Sequence, residues 1–132
     1  MKGTVTHALD LLEQMSEAVG MATVFIEGYD RDSFLRDKRT RAAVSMYLIV
    51  IGEAASRLLH NHSALLGRYP EVPWRRITDM RNQIAHGYVD LDFEAVWDTA
   101  LNDLPSLDHT LSLILKSLPE QAGPMPSPTS AP

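Results

Sequence analysis

The sequence predicts an all-α fold, an antiparallel bundle of four to five helices, on three observations. No stretch makes a convincing strand; apolar residues recur instead at three- and four-residue steps; and the amphipathic segments they define are joined by short connections. Contacts in such a bundle are mostly local, so it should fold readily.

At 132 residues the chain is one domain with room for a modest core, and it contains no internal repeat. The absence of cysteine excludes disulfides and thiolate chemistry and removes the commonest structural zinc ligand. A net charge of −5 argues against a general nucleic-acid binder, so an RNA target would have to meet a locally basic cleft. The first 26 residues carry charges within an amphipathic pattern, unlike a signal peptide, and no run approaches the roughly 18 apolar residues of a membrane span. The expected location is the cytoplasm. No Gly-rich phosphate loop is present, so the chain should not bind ATP unaided in the Walker manner.

Residues 5–26 form the first expected helix, with Val5, Leu9, Leu12, Met15, Val19, Ala22 and Ile26 on one face and Thr4 or Thr6 as cap. Gly28-Tyr29-Asp30 interrupts it, and Ser33 is the expected cap of a longer helix reaching about Leu59. That helix starts basic, with Arg36, Lys38, Arg39 and Arg41, and turns apolar from Ala42 to Ile51. The basic half reads either as a solvated face or as a track for RNA backbone. Gly52 weakens a helix by about 1 kcal/mol relative to alanine, so its presence points to close packing of a neighbouring helix. Glu53 is either a solvated charge, the slightly favoured reading, or the partner of an arginine near a cleft.

His60-Asn61-His62 is placed in a loop beyond the helix end; two imidazoles without a third ligand do not make a metal site, and no metal is expected. Residues 63–72 form a turn-rich connection. A motif helix follows, opened by Pro73 at its first position and patterned by Trp74, Ile77, Met80 and Ile84. Trp74 is read as a core anchor, with a stacking platform for a base as the other possibility. Asp90 or Asp92 caps a last long segment carrying Phe93, Val96, Trp97, Ala100, Leu101 and Leu104. Pro105 should kink or restart it, and Leu107, Leu111, Ile114, Leu115 and Leu118 complete it. Five of the eight prolines fall in residues 119–132, which are expected to be a disordered tail after a helical domain spanning 1–118.

The chain is organised around Arg81-Asn82-Gln83-Ile84-Ala85-His86-Gly87-Tyr88. Gly87 suits a left-handed residue ending the motif helix, which places His86 in the last turn and Tyr88 in the exit. At about 100° per residue Asn82 and His86 share a face, whereas Arg81 and His86 lie about 140° apart. Either the last turn distorts, or a site using both takes a residue from a second copy. An imidazole can exchange a proton with a ribose 2′-hydroxyl or a leaving 5′-oxygen; a guanidinium can hold the phosphate, with Asn82 donating to the same oxygens. The structural reading stands beside this one: His86 as a cation at a helix C-terminus, Arg81 as a surface charge and Tyr88 as a lid on the core.

Arg81-Asn82, three residues, then His86-Gly87-Tyr88 resembles the motif of HEPN-domain proteins, and the tyrosine two places after the histidine resembles the HepT branch, the toxin half of MntA/HepT toxin–antitoxin pairs. Ile51-Gly52-Glu53-Ala54-Ala55, Pro73-Trp74-Arg75-Arg76-Ile77, and Val96-Trp97 with Asp103-Leu104-Pro105 agree in order and spacing, over roughly residues 5–118. The resemblance implies a HEPN-like bundle that dimerises and a metal-independent endoribonuclease needing no cofactor, with Arg81 and His86 as the catalytic pair, Asn82 in support, and RNA as substrate. It further implies that an MntA-like nucleotidyltransferase silences the toxin by placing AMP on Tyr88.

Arg68, Arg75 and Arg76 precede the motif and Arg81 opens it, while Asn82 to Leu115 contains no Lys or Arg but carries Asp90, Asp92, Glu94, Asp98, Asp103 and Asp108. This acidic segment faces solvent or a basic partner. Two functions of different kinds follow: a ribonuclease toxin, or a non-catalytic helical module that binds a nucleotidyltransferase. A tyrosine hydroxyl, with a pKa near 10, needs the partner's chemistry to become an acceptor.

Overall fold

A computed structural model describes residues 2–118, with side chains from Thr6 onward; the predicted tail lies outside the described residues. All regular structure among the described residues is helical: α1 (Lys2–Ile26), α2 (Arg31–Arg36), α3 (Lys38–Asn61), α4 (Ser63–Gly67), α5 (Trp74–Gly87), a 3₁₀ turn (Tyr88–Asp90), α6 (Phe93–Asp98), a π turn (Thr99–Asp103) and α7 (Leu104–Ser117).

α1 starts at Lys2, so Thr4 and Thr6 are interior residues and not caps. The break at Gly28 is as expected, with φ 80°, a left-handed conformation that favours glycine. The expected helix from Ser33 to Leu59 is in fact two. Asp30 caps α2 in a capping box in which Ser33 is the third helical residue and not the cap. The chain then breaks at Asp37, whose carboxylate accepts from the Thr40 amide and from the hydroxyls of Tyr29 and Thr40. Those bonds, that of Tyr29 first, hold the Asp37 carboxyl at a pKa of about 2. α2 is too short to stand alone; Phe34 anchors it, fully buried with its ring 5.2 Å from that of Trp97.

α3 is the central rod. It packs on α1 along one side and on α5 along the other. His7 meets His62 and Phe25 meets Tyr47, so α1 and α3 run antiparallel. By length and composition α3 could cross a membrane, with an 18-residue window of mean hydropathy 1.5 that the reading by continuous apolar runs passed over. Its burial between two helices accounts for that composition: Val44, Leu48, Ile51, Ala54, Ala55 and Leu58 all lie in the core.

Asp92 caps α6 through bonds from the amides of Glu94 and Ala95. Pro105 stands in the first turn of α7, where the segment restarts as expected after a π turn closed by the amide of Leu104 on the carbonyl of Thr99. The wider turn relieves the clash between a proline ring and the carbonyl four residues earlier. It also turns Leu101 outward, where it is 48% exposed, while Leu104, Leu107, Leu111 and Ile114 remain buried.

Candidate functional site

The motif sits on α5, and packing of that helix on α3 determines what each side chain can do. Pro73 is the N-cap residue, one position before the place its ring suggested. Trp74 is a core anchor, 6% exposed, with its indole donating to the carbonyl of Tyr69 at 3.1 Å. Ile77, Met80 and Ile84 continue the buried stripe, as the spacing predicted.

Arg81 lies at the edge of that stripe. Its first carbons rest against Gly52 so closely that a methyl group there would overlap them and come within 3.0 Å of the carbonyl oxygen of Ile77. Glycine in α3 therefore lets α5 approach, as its sequence position suggested. The Arg81 side chain is 25% exposed, its Nε is buried without a partner, and its NH1 faces Glu53 Oε1 at 3.6 Å. Glu53 thus combines both readings: its side chain is 46% exposed and it is also the partner of an arginine. Its other oxygen takes Arg57 Nε at 3.2 Å, one turn along α3. Arg57 is a residue the sequence reading missed, although a Glu and an Arg four apart on a helix are a readable pair.

α5 remains helical through His86, and the backbone departs from helical geometry only at Gly87, so the last turn does not distort to bring Arg81 and His86 together. His86 is exposed, Asn82 is half-buried, and neither side chain hydrogen-bonds another group among the described residues. Gly87 has φ −155° and ψ 53°, neither helical nor the expected left-handed conformation; the chain continues directly into the 3₁₀ turn. Tyr88, 40% exposed, stands edge-on to Phe93 with ring centres 5.3 Å apart. The guanidinium of Arg41 lies 4.4 Å over the Phe93 ring and donates to the carbonyl of Leu35. One residue of the basic run thus supports the wall behind Tyr88, while Arg36, Lys38 and Arg39 are exposed.

The acidic segment is partly neutralised from within. Arg76 meets Asp103 at 2.6 Å and Arg31 meets Glu94 at 2.5 Å. His60 and Asn61 close α3 and do not lie in a loop. His62 pairs with His7 of α1, its Nε2 lying 2.9 Å from His7 Nδ1, a contact across 55 positions that nothing local signals. Burial, then the charge of His7, lowers the His62 pKa. Among the described residues no three His, Cys, Asp or Glu side chains group as a metal site would require.

Two grooves run between α1 and α3 and share Gln14 and Val50; one is lined by Glu53 and Arg57, the other by Met21 and Tyr47. The arrangement offers a held guanidinium, a free imidazole and an accessible phenol on one stretch of chain.

Comparison with known proteins bears on what this stretch serves. Residues 7–114 match the family described as Ribonuclease HepT-like. A protein of Thermococcus cleftensis named as a probable ribonuclease HepT is 36% identical over 98 residues, covering 74% of this chain and 86% of its own. A candidate RNase of Methanocaldococcus jannaschii is 32% identical over 109 residues, covering 83% and 84%. Another, from Caldanaerobacter subterraneus, is 28% identical over 91 residues, covering 69% and 79%. No solved structure gives a significant match. With the match extending over most of its helical bundle, the chain belongs to the HepT-like ribonuclease family.

Proposed function

We propose that the protein is a metal-independent endoribonuclease acting in the cytoplasm as the toxin of a toxin–antitoxin pair, working as a homodimer and silenced by AMP placed on Tyr88 by a partner nucleotidyltransferase. The observation that carries the reading is the division of the motif. Arg81 is held at the α3 edge by Glu53, and His86 stands free on a regular helix, on faces about 140° apart. Two copies facing each other would supply the guanidinium of one and the imidazole of the other to a single phosphate. The exposed apolar residues Met21 and Val50, which line the adjoining grooves between α1 and α3, suit such a contact.

In the reaction His86 takes the proton of a ribose 2′-hydroxyl, and the 2′-oxygen attacks the adjacent phosphorus. The bond to the 5′-oxygen breaks, that oxygen receives a proton, and a 2′,3′-cyclic phosphate remains. Arg81 stabilises the charge on the phosphoryl oxygens, and Asn82 donates to them. Tyr88 is two residues from His86 and half open to solvent, so an AMP on its hydroxyl would put bulk and negative charge at the cleft and exclude RNA.

The test is cleavage of a mixed RNA pool in EDTA by the protein and by His86→Ala, with the mass in solution measured alongside. Cleavage by the first alone, with cyclic phosphate ends and a dimeric mass, supports the reading. Equal inactivity of both, with Tyr88 unmodified by intact mass, would replace it with a non-catalytic module that binds a nucleotidyltransferase.

A further inference from the structure

Resting on the ribonuclease reading, we propose that Glu53 is the positioning residue for Arg81: one carboxylate, shared between Arg81 and Arg57, aims the phosphate-holding guanidinium and sets the charge of the cleft.

The side chain of an arginine is long, and ordering it costs rotamer freedom of about 2 kcal/mol. Here much of that ordering is done before any ligand arrives. The base of Arg81 is pressed on Gly52, three quarters of the side chain is covered, and its Nε is buried without a partner. Only the far end is adjustable, and it faces Glu53 Oε1 at 3.6 Å. That distance is an ion pair and too long for a hydrogen bond, so the carboxylate directs the guanidinium without occupying its donors. Those donors remain for phosphate oxygens.

Arg57 Nε on Glu53 Oε2 at 3.2 Å fixes the carboxylate from the other side. Two cations on one anion leave a net charge of +1, so the cluster still attracts RNA within a chain of net charge −5. Glu53 therefore opposes binding while favouring correct geometry. A residue that only held the fold would not act on the two in opposite directions.

The experiment measures RNA affinity, its salt dependence and turnover for the wild type, Glu53→Gln, Glu53→Asp, Arg81→Ala and Glu53→Gln/Arg81→Ala, with thermal melting of each. Glu53→Gln should bind RNA several-fold more tightly, with a salt slope steeper by about 0.7, the increment for one more phosphate contact on a single strand. Its turnover should fall on the order of tenfold to a hundredfold, the scale of a small misplacement of a reacting group. Glu53→Asp keeps the charge and shortens the reach, so its affinity and salt slope should return to wild type while turnover recovers only in part. In the Arg81→Ala background, Glu53→Gln should cost no further turnover. Unchanged turnover in Glu53→Gln, or an equal loss with Arg81 already removed, would overturn the assignment. So would a loss of affinity and turnover together with melting. Absence of RNA cleavage by the wild type would instead bring down the ribonuclease reading, and this assignment with it.

Discussion

Gly52 and Arg81 touch backbone to side chain: the absence of a Cβ on α3 is what allows the arginine of α5 to lie flat against it. A stability determinant and a candidate functional group therefore occupy the same few ångströms.

Gly52→Ala tests that coincidence. Alanine gains about 1 kcal/mol in helix propensity, but overpacking against Arg81 and the carbonyl of Ile77 costs about 1–3 kcal/mol. The expected net is destabilisation of about 1 kcal/mol, read by urea unfolding, with a larger proportional loss of RNA cleavage because Arg81 is displaced. A variant more stable than the parent would show that α5 accommodates the methyl group.

Phe34→Ala should cost about 3–5 kcal/mol, since it empties a fully buried site and releases α2. The ring lies 5.2 Å from that of Trp97, so tryptophan emission should change with it. Unchanged emission with a loss below about 1 kcal/mol would mean that α2 is not pinned through this contact.

The His7–His62 pair makes stability depend on pH. A bond between two imidazoles needs one nitrogen with a free lone pair, and the folded His62 pKa lies below its ordinary 6.5. A group whose pKa is depressed on folding contributes fully above the unfolded value and loses that contribution as pH falls through the folded one. Between pH 7.5 and 5 the melting temperature of the wild type should therefore drop more than that of His62→Gln. Asp37 does not interfere: its pKa of about 2 confines its own effect to the interval below 3.8. Parallel melting curves for the two proteins would dispose of the coupling.

Tyr88→Phe keeps the edge-on contact with Phe93 and removes only a hydroxyl that has no hydrogen-bond partner among the described residues. Stability should stay within about 0.5 kcal/mol and RNA cleavage should persist. Incubation with the proposed partner nucleotidyltransferase and ATP should then add AMP to the wild type but not to this variant, by intact mass. Silencing of the variant to the same degree would move the modification elsewhere.

Much of this was readable in advance where the signal was local and periodic. Trp74, Ile77, Met80 and Ile84 repeat the step of a helix, so the buried face of α5, and with it the separation of Arg81 from His86, followed from spacing. What escaped depended on distant chain or on competing caps. Ser33 looks like a cap, but Asp30 three positions earlier takes that role, and Asp37 ends α2 because Tyr29 and Thr40 converge on its carboxylate. The pairing of Glu53 with Arg81 could not be ranked above solvation from sequence, because it exists only where Gly52 brings α5 close. Gly87 illustrates the opposite error: glycine permits a left-handed conformation without requiring one.

The π turn at Thr99–Asp103 makes Pro105 and the length of the preceding segment interdependent. A π turn holds about one residue more than an α turn, so deleting one residue there would close it to ordinary α geometry while leaving Leu107, Leu111 and Ile114 facing the core. The proline ring would then collide with the carbonyl that the wide turn had moved aside. Removing the extra residue alone should be harmful, and removing it together with Pro105→Ala should be tolerated, so the two can be exchanged only as a pair.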